Sequence, residues 1–206
     1  MSKLTEYTRY ADAQQHADSR ALWDLFDGDR ERLNIAHECI LRHATSDGRT
    51  AVRIAHADGA DETLSFDTIA AGSARFAHWL EQSGIEPGDR IAFMLEPSLP
   101  FYLSLFGAML RGAISVPLFT LFGLDGLRLR VDDCHPKLLI TNAEKAEIAR
   151  QVEGVRVIIA DDALLQEIAQ LPPTYQTQTR ADDLAVFQYT SGTTRELPAA
   201  VKHTHR

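Results

Sequence analysis

The chain has 206 residues, 45% of them hydrophobic, so folding removes roughly 70% of the unfolded surface from water and leaves room for one sizeable core. A formal net charge of -8 provides no basic stripe for nucleic acid, and no run reaches the roughly eighteen continuous apolar residues of a membrane span. Cys39 and Cys134 lie far apart and outside any metal-ligand spacing, a pattern of reduced thiols in a cytoplasmic protein. In chain order, residues 1–33 read as a polar helical lead-in, with a helix near Ala21 to Phe26, and residues 34–206 as one folded unit. Asp67 is placed to cap a helix whose Ile69, Ser73, Phe76 and Leu80 recur at helical spacing. Gly84 is set to end that helix, Ile91 to Leu95 forms a short buried strand, and a second helix runs from Leu99 to Leu110 before Gly112.

Beyond it, Ala113 to Pro117, Leu138 to Thr141, Val155 to Ala160 and Leu184 to Gln188 are strand candidates. Helices are expected between them near Leu124 to Asp133, Ala143 to Val152 and Ala163 to Gln170. This alternation predicts an α/β fold: a layered, largely parallel sheet with helices on both faces. The polar connector Pro172 to Arg180 is the segment expected to be most flexible. The aspartate pairs Asp132-Asp133, Asp161-Asp162 and Asp182-Asp183 suit solvated turns or helix caps rather than metal sites.

The last eighteen residues carry the chemistry. After the apolar run Leu184 to Phe187, four neighbouring hydroxyls, Thr190, Ser191, Thr193 and Thr194, surround Gly192. Hydroxyl donors beside a glycine that lets backbone amides turn toward an anion suit the grip of a phosphate, each charge-assisted bond contributing about 1.5 to 3 kcal/mol. The same composition also serves an ordinary Ser/Thr/Gly turn between strands, and composition does not choose between the two. His203 and His205, two apart, would share a face of a strand, but no cysteine or carboxylate accompanies them as a further metal ligand.

Tyr189 to Thr194, followed by Pro198, Val201, His203, Thr204, His205 and Arg206, resembles the phosphate loop of the adenylate-forming enzymes, written YTSGTTG-x-PKGV-x-HTHR. The family includes acyl-CoA synthetases and peptide-synthetase adenylation domains. Gly84 to Leu95, with its Pro87-Gly88-Asp89-Arg90 turn, Arg111-Gly112-Ala113 with Pro117-Leu118, and Val131 to Thr141 are similar to the family's upstream segments in the same order. The departures fall inside the loop. Arg195 or Glu196 stands where the family has glycine, Ala199 where it has lysine and Ala200 where it has a second glycine.

The resemblance implies an ATP- and Mg2+-dependent ligase of the acyl-CoA synthetase type, which joins a carboxylic acid to AMP and passes the acyl group to CoA. It assigns Thr190, Ser191, Gly192, Thr193 and Thr194 to the phosphates and sets His205 near the acyl side of the cleft; Arg195 and Lys202 are the candidates to replace the missing lysine, and Arg195 is preferred because Lys202, on a strand, faces away from Ala199 and Val201. Family members continue past this loop, so the chain reads as the N-terminal portion of such an enzyme. Alone it is expected to be inactive and prone to self-associate through strand residues near Ala199 to Thr204. A non-catalytic nucleotide-binding or interaction remnant and a peptide-synthetase adenylation fragment are the alternatives.

Overall fold

The computed structural model describes residues 3–56, 59–189 and 200–206. The lead-in carries two short helices, α1 (Tyr10–Gln15) and α2 (Ser19–Trp23), followed by α3 (Ile35–Cys39). A two-stranded antiparallel sheet pairs β1 (Thr50–Ala55) with β2 (Asp61–Ser65), and α4 (Phe66–Gln82) follows at once. The main body then alternates β3 (Arg90–Met94), α5 (Leu99–Arg111), β4 (Ile114–Pro117), α6 (Leu124–Cys134), β5 (Leu138–Thr141), α7 (Ala146–Arg150), β6 (Arg156–Ile159) and α8 (Asp162–Ala169). It closes with β7 (Leu184–Tyr189) and β8 (Ala200–Thr204). The sheet order is β6-β5-β3-β4-β7-β8, parallel throughout except for antiparallel β8 at the edge.

Successive side chains of a strand point to opposite faces, and β3 divides two cores in this way. Ile91 and Phe93, with Leu95 just beyond the strand, face Phe76, Trp79 and Leu80 of α4, Leu103 of α5 and Leu164 and Ile168 of α8. Ala92 and Met94 face Leu127, Val131 and Cys134 of α6 and Ala149 of α7. Helices therefore cover both faces, as the alternation of elements predicts. Among the described residues no helix is long and apolar enough to cross a membrane.

Local chemistry sets the boundaries. Ser65, not Asp67, caps α4: its hydroxyl accepts the Thr68 amide at 3.0 Å, and Asp67, already in the first turn, accepts the amides of Ser46 and Gly48. Gly112 ends α5 at φ 80°, the left-handed conformation that a side chain would strain. Helices α4 and α5 approach closely, since a Cβ on Gly107 would lie 2.7 Å from Phe76 Cδ1.

The connector Pro172–Arg180 has no regular element, yet it is tied down rather than loose, contrary to the sequence expectation. Tyr175 packs edge-on against His78, and the buried Thr179 donates its hydroxyl proton to the Leu33 carbonyl at 2.6 Å. Asn34, 2% exposed, donates to the Met109 carbonyl at 2.7 Å and to Thr179 Oγ1 at 3.0 Å while its Oδ1 caps α3. One buried amide thus joins α3, α5 and the connector.

Candidate functional site

Parallel topology places the C-terminal ends of β3, β4, β5 and β7 along one edge of the sheet. The helix after β3 packs on one face and the helix after β4 on the other. Open α/β sheets bind ligands in the crevice that such a reversal creates. At this edge Glu96, just past β3, accepts the Thr120 hydroxyl, and the buried Thr141 at the end of β5 donates to the Met94 carbonyl at 3.1 Å. Phe119 and Leu121, 61% and 76% exposed, follow β4 at this edge.

Tyr189, the last residue of β7, is the Cα partner of Ala200, the first of β8. The ten residues between them, 190–199, therefore leave and return at one point on the C-terminal edge. The phosphate-binding residues read from the sequence, Thr190, Ser191, Gly192, Thr193, Thr194 and Arg195, belong to this connection and lie outside the described residues. What is described is the frame that holds both its ends.

That frame is built around Tyr189 and α6. The Tyr189 hydroxyl donates to Asp133 Oδ2 at 2.6 Å. Burial first, and that bond second, raise its pKa far above the ordinary phenol value, so it keeps its proton. The Arg130 guanidinium carbon lies 3.6 Å from the centroid of the Phe122 ring and 5.6 Å from that of Tyr189. Its Nη1 donates to the Gly126 carbonyl at 2.7 Å, its Nε has no partner among the described residues, and the residue is 7% exposed. Burial lowers its pKa from the usual arginine value.

Sequence reading missed Arg130, although a signal was present. Leu127, Arg130, Val131 and Cys134 recur at the i, i+3, i+4 spacing of a core-facing stripe, and all four are buried. An arginine inside an apolar stripe marks a buried charge before any coordinates are known.

His205 lies elsewhere than the sequence reading set it. Strand β8 runs back antiparallel to β7, Thr204 pairing with Leu184, so His205 emerges at the N-terminal edge, the far end of β7 from Tyr189. There it is 3% exposed, its Nδ1 accepts the Ile35 amide at 3.1 Å, and its own amide donates to the Asp183 carbonyl. It ties β8 to α3 and stands away from the crevice. This N-terminal edge also holds a cavity of about 720 Å³ lined in part by Arg111, Tyr175, Thr179 and Leu184.

The AMP-binding enzyme family model matches residues 42–206. A long-chain-fatty-acid–AMP ligase of Mycolicibacterium smegmatis is 33% identical over 159 residues, covering 72% of this chain and 24% of that protein. An acyl-CoA synthetase structure from Brucella canis superposes with a TM-score of 0.83 at 27% identity, covering 97% of this chain and 38% of the other. The ATP-bound structure of MatB from Rhodopseudomonas palustris superposes with a TM-score of 0.69 at 25% identity, covering 84% of this chain and 35% of that one. The chain belongs to the AMP-binding enzyme family, and it spans about a quarter of the length of the curated relative it matches.

Proposed function

We propose that this chain is part of an ATP-dependent acid–thiol ligase that activates a carboxylic acid as its acyl-adenylate and then transfers the acyl group to CoA. The observation that carries the reading is the pairing of Tyr189 with Ala200, which fastens both ends of a hydroxyl-rich connection beside the crevice of a parallel sheet. Family membership, a fatty-acid–AMP ligase relative and an ATP-bound structural neighbour support the adenylate step. CoA as acceptor rests on the acyl-CoA synthetase neighbour and on the sequence resemblance.

A carboxylate is a poor electrophile, and joining it to AMP supplies a leaving group. That step depends mainly on positioning and charge neutralisation at phosphorus, so hydroxyls, backbone amides and cations carry it. Thr190, Ser191, Thr193 and Thr194 donate to the β- and γ-phosphates, Gly192 lets the backbone approach, and Arg195 adds positive charge. Phe119 and Leu121 offer apolar surface at the same edge.

The described residues hold no group of three His, Cys, Asp or Glu side chains able to cage a metal ion. Magnesium bound through phosphate oxygens and water needs few protein ligands, and when bound it neutralises phosphate charge. A cytoplasmic setting is part of the same proposal, and the two free thiols Cys39 and Cys134 support it. Self-association through β8 belongs to the same proposal, because the strand ends the sheet order and leaves Val201 45% exposed.

Calorimetric titration tests the reading. The chain is expected to bind ATP and inorganic tripolyphosphate in the same affinity range and adenosine far more weakly. Binding of adenosine without any binding of tripolyphosphate would overturn it.

A further inference from the structure

A guanidinium 7% exposed, with no carboxylate paired to it among the described residues and one nitrogen without a partner, is an expensive feature to keep. Removing a charge from water without a counter-ion is strongly unfavourable in a folded protein. The Phe122 and Tyr189 rings recover part of that cost through cation–π contact. The rest calls for an anion.

Position indicates which kind. Arg130 packs on the side chain of Tyr189, the residue from which the 190–199 connection departs, and Phe122 holds it from the β4–α6 segment. The Tyr189 phenol keeps its proton, and the Asp133 carboxylate that accepts it is turned to the phenol and forms no ion pair with Arg130 among the described residues. The other carboxylate at this edge, Glu96, is engaged by Thr120.

From this arrangement we infer that Arg130 is the buried cation that draws a polyphosphate to the C-terminal edge and offsets its charge, in place of a lysine on the loop itself. The inference rests on the phosphate-binding reading of the residues after Tyr189. A buried cation acts on an anion across a low-dielectric path and is screened by salt less than a surface lysine.

The test compares the parent chain with Arg130→Met and Arg130→Lys, titrated with inorganic tripolyphosphate, with melting temperature followed in parallel. Arg130→Met is expected to weaken binding at least tenfold, and Arg130→Lys to stay within about threefold of the parent. If the methionine variant is recovered unfolded, Arg130→Gln carries the same expectation. Unchanged binding in Arg130→Met overturns the inference, as does an equal loss in Arg130→Lys, which would show that shape and not charge matters. It is also overturned if Glu196→Gln reproduces the stability change of Arg130→Met, with tripolyphosphate binding unaltered in both. No tripolyphosphate binding by the parent chain would remove the loop reading as well, so the two failures are distinguishable.

Discussion

Replacing Ser191 and Thr194 together with alanine is expected to weaken ATP and tripolyphosphate binding alike by a hundredfold or more, as read by calorimetry. Two hydroxyl donors to a charged phosphate contribute about 1.5 to 3 kcal/mol each, and 1.4 kcal/mol corresponds to a factor of ten. Both side chains are small and polar, and the Tyr189–Ala200 pair that joins β7 to β8 lies outside the substituted positions. The melting temperature should therefore move little, which separates a lost ligand contact from a lost fold. Unaltered affinity in the double variant would reduce the loop to an ordinary Ser/Thr/Gly turn.

The second large effect is on stability. His205 is buried, and desolvation pushes its pKa down to about 4, with Asp183 opposing the shift more weakly. The amide of Ile35 donates to Nδ1, so the proton of the neutral ring sits on Nε2. The folded-state pKa lies below the unfolded value of about 6.5, so the unfolded chain takes up the proton first as pH falls. The stability due to the neutral ring is full above about pH 6.5 and is lost progressively toward about pH 4, a difference of about 3 kcal/mol. Urea denaturation at stepped pH measures it. His205→Asn, whose amide oxygen can accept the Ile35 amide without titrating, should flatten the curve in that window relative to the parent. Parallel curves would show that His205 is not the group responsible.

Much of the body was legible because periodicity and burial agree there. Strand β3 is apolar on both faces since each face meets helices, and α5 carries its own stop signal in Gly112. Elsewhere, elements depend on contacts remote in sequence. Strand β1 was not foreseen: only Ile54 is buried in Thr50–Ala55, and the strand exists by pairing with β2. Helix α3 has five residues and is held by Asn34, whose partners Met109 and Thr179 lie far along the chain.

The site divides in the same way. Composition identified the hydroxyl cluster, but strand direction was not written in it. An antiparallel return of five residues, roughly 17 Å at about 3.4 Å per residue, carries His205 from the loop to the opposite edge. Arg130 was hidden by the reverse circumstance: its helix was foreseen, while its closeness to Tyr189 comes from the packing of α6 against β7.

Amide hydrogen exchange of the chain with and without ATP tests the central claim most directly. Slowed exchange is expected in peptides spanning Tyr189 to Ala200 and in α6, with no change around the Arg111–Tyr175 cavity at the other edge. Slowing confined to that cavity, with Tyr189 to Ala200 unaffected, would contradict the account.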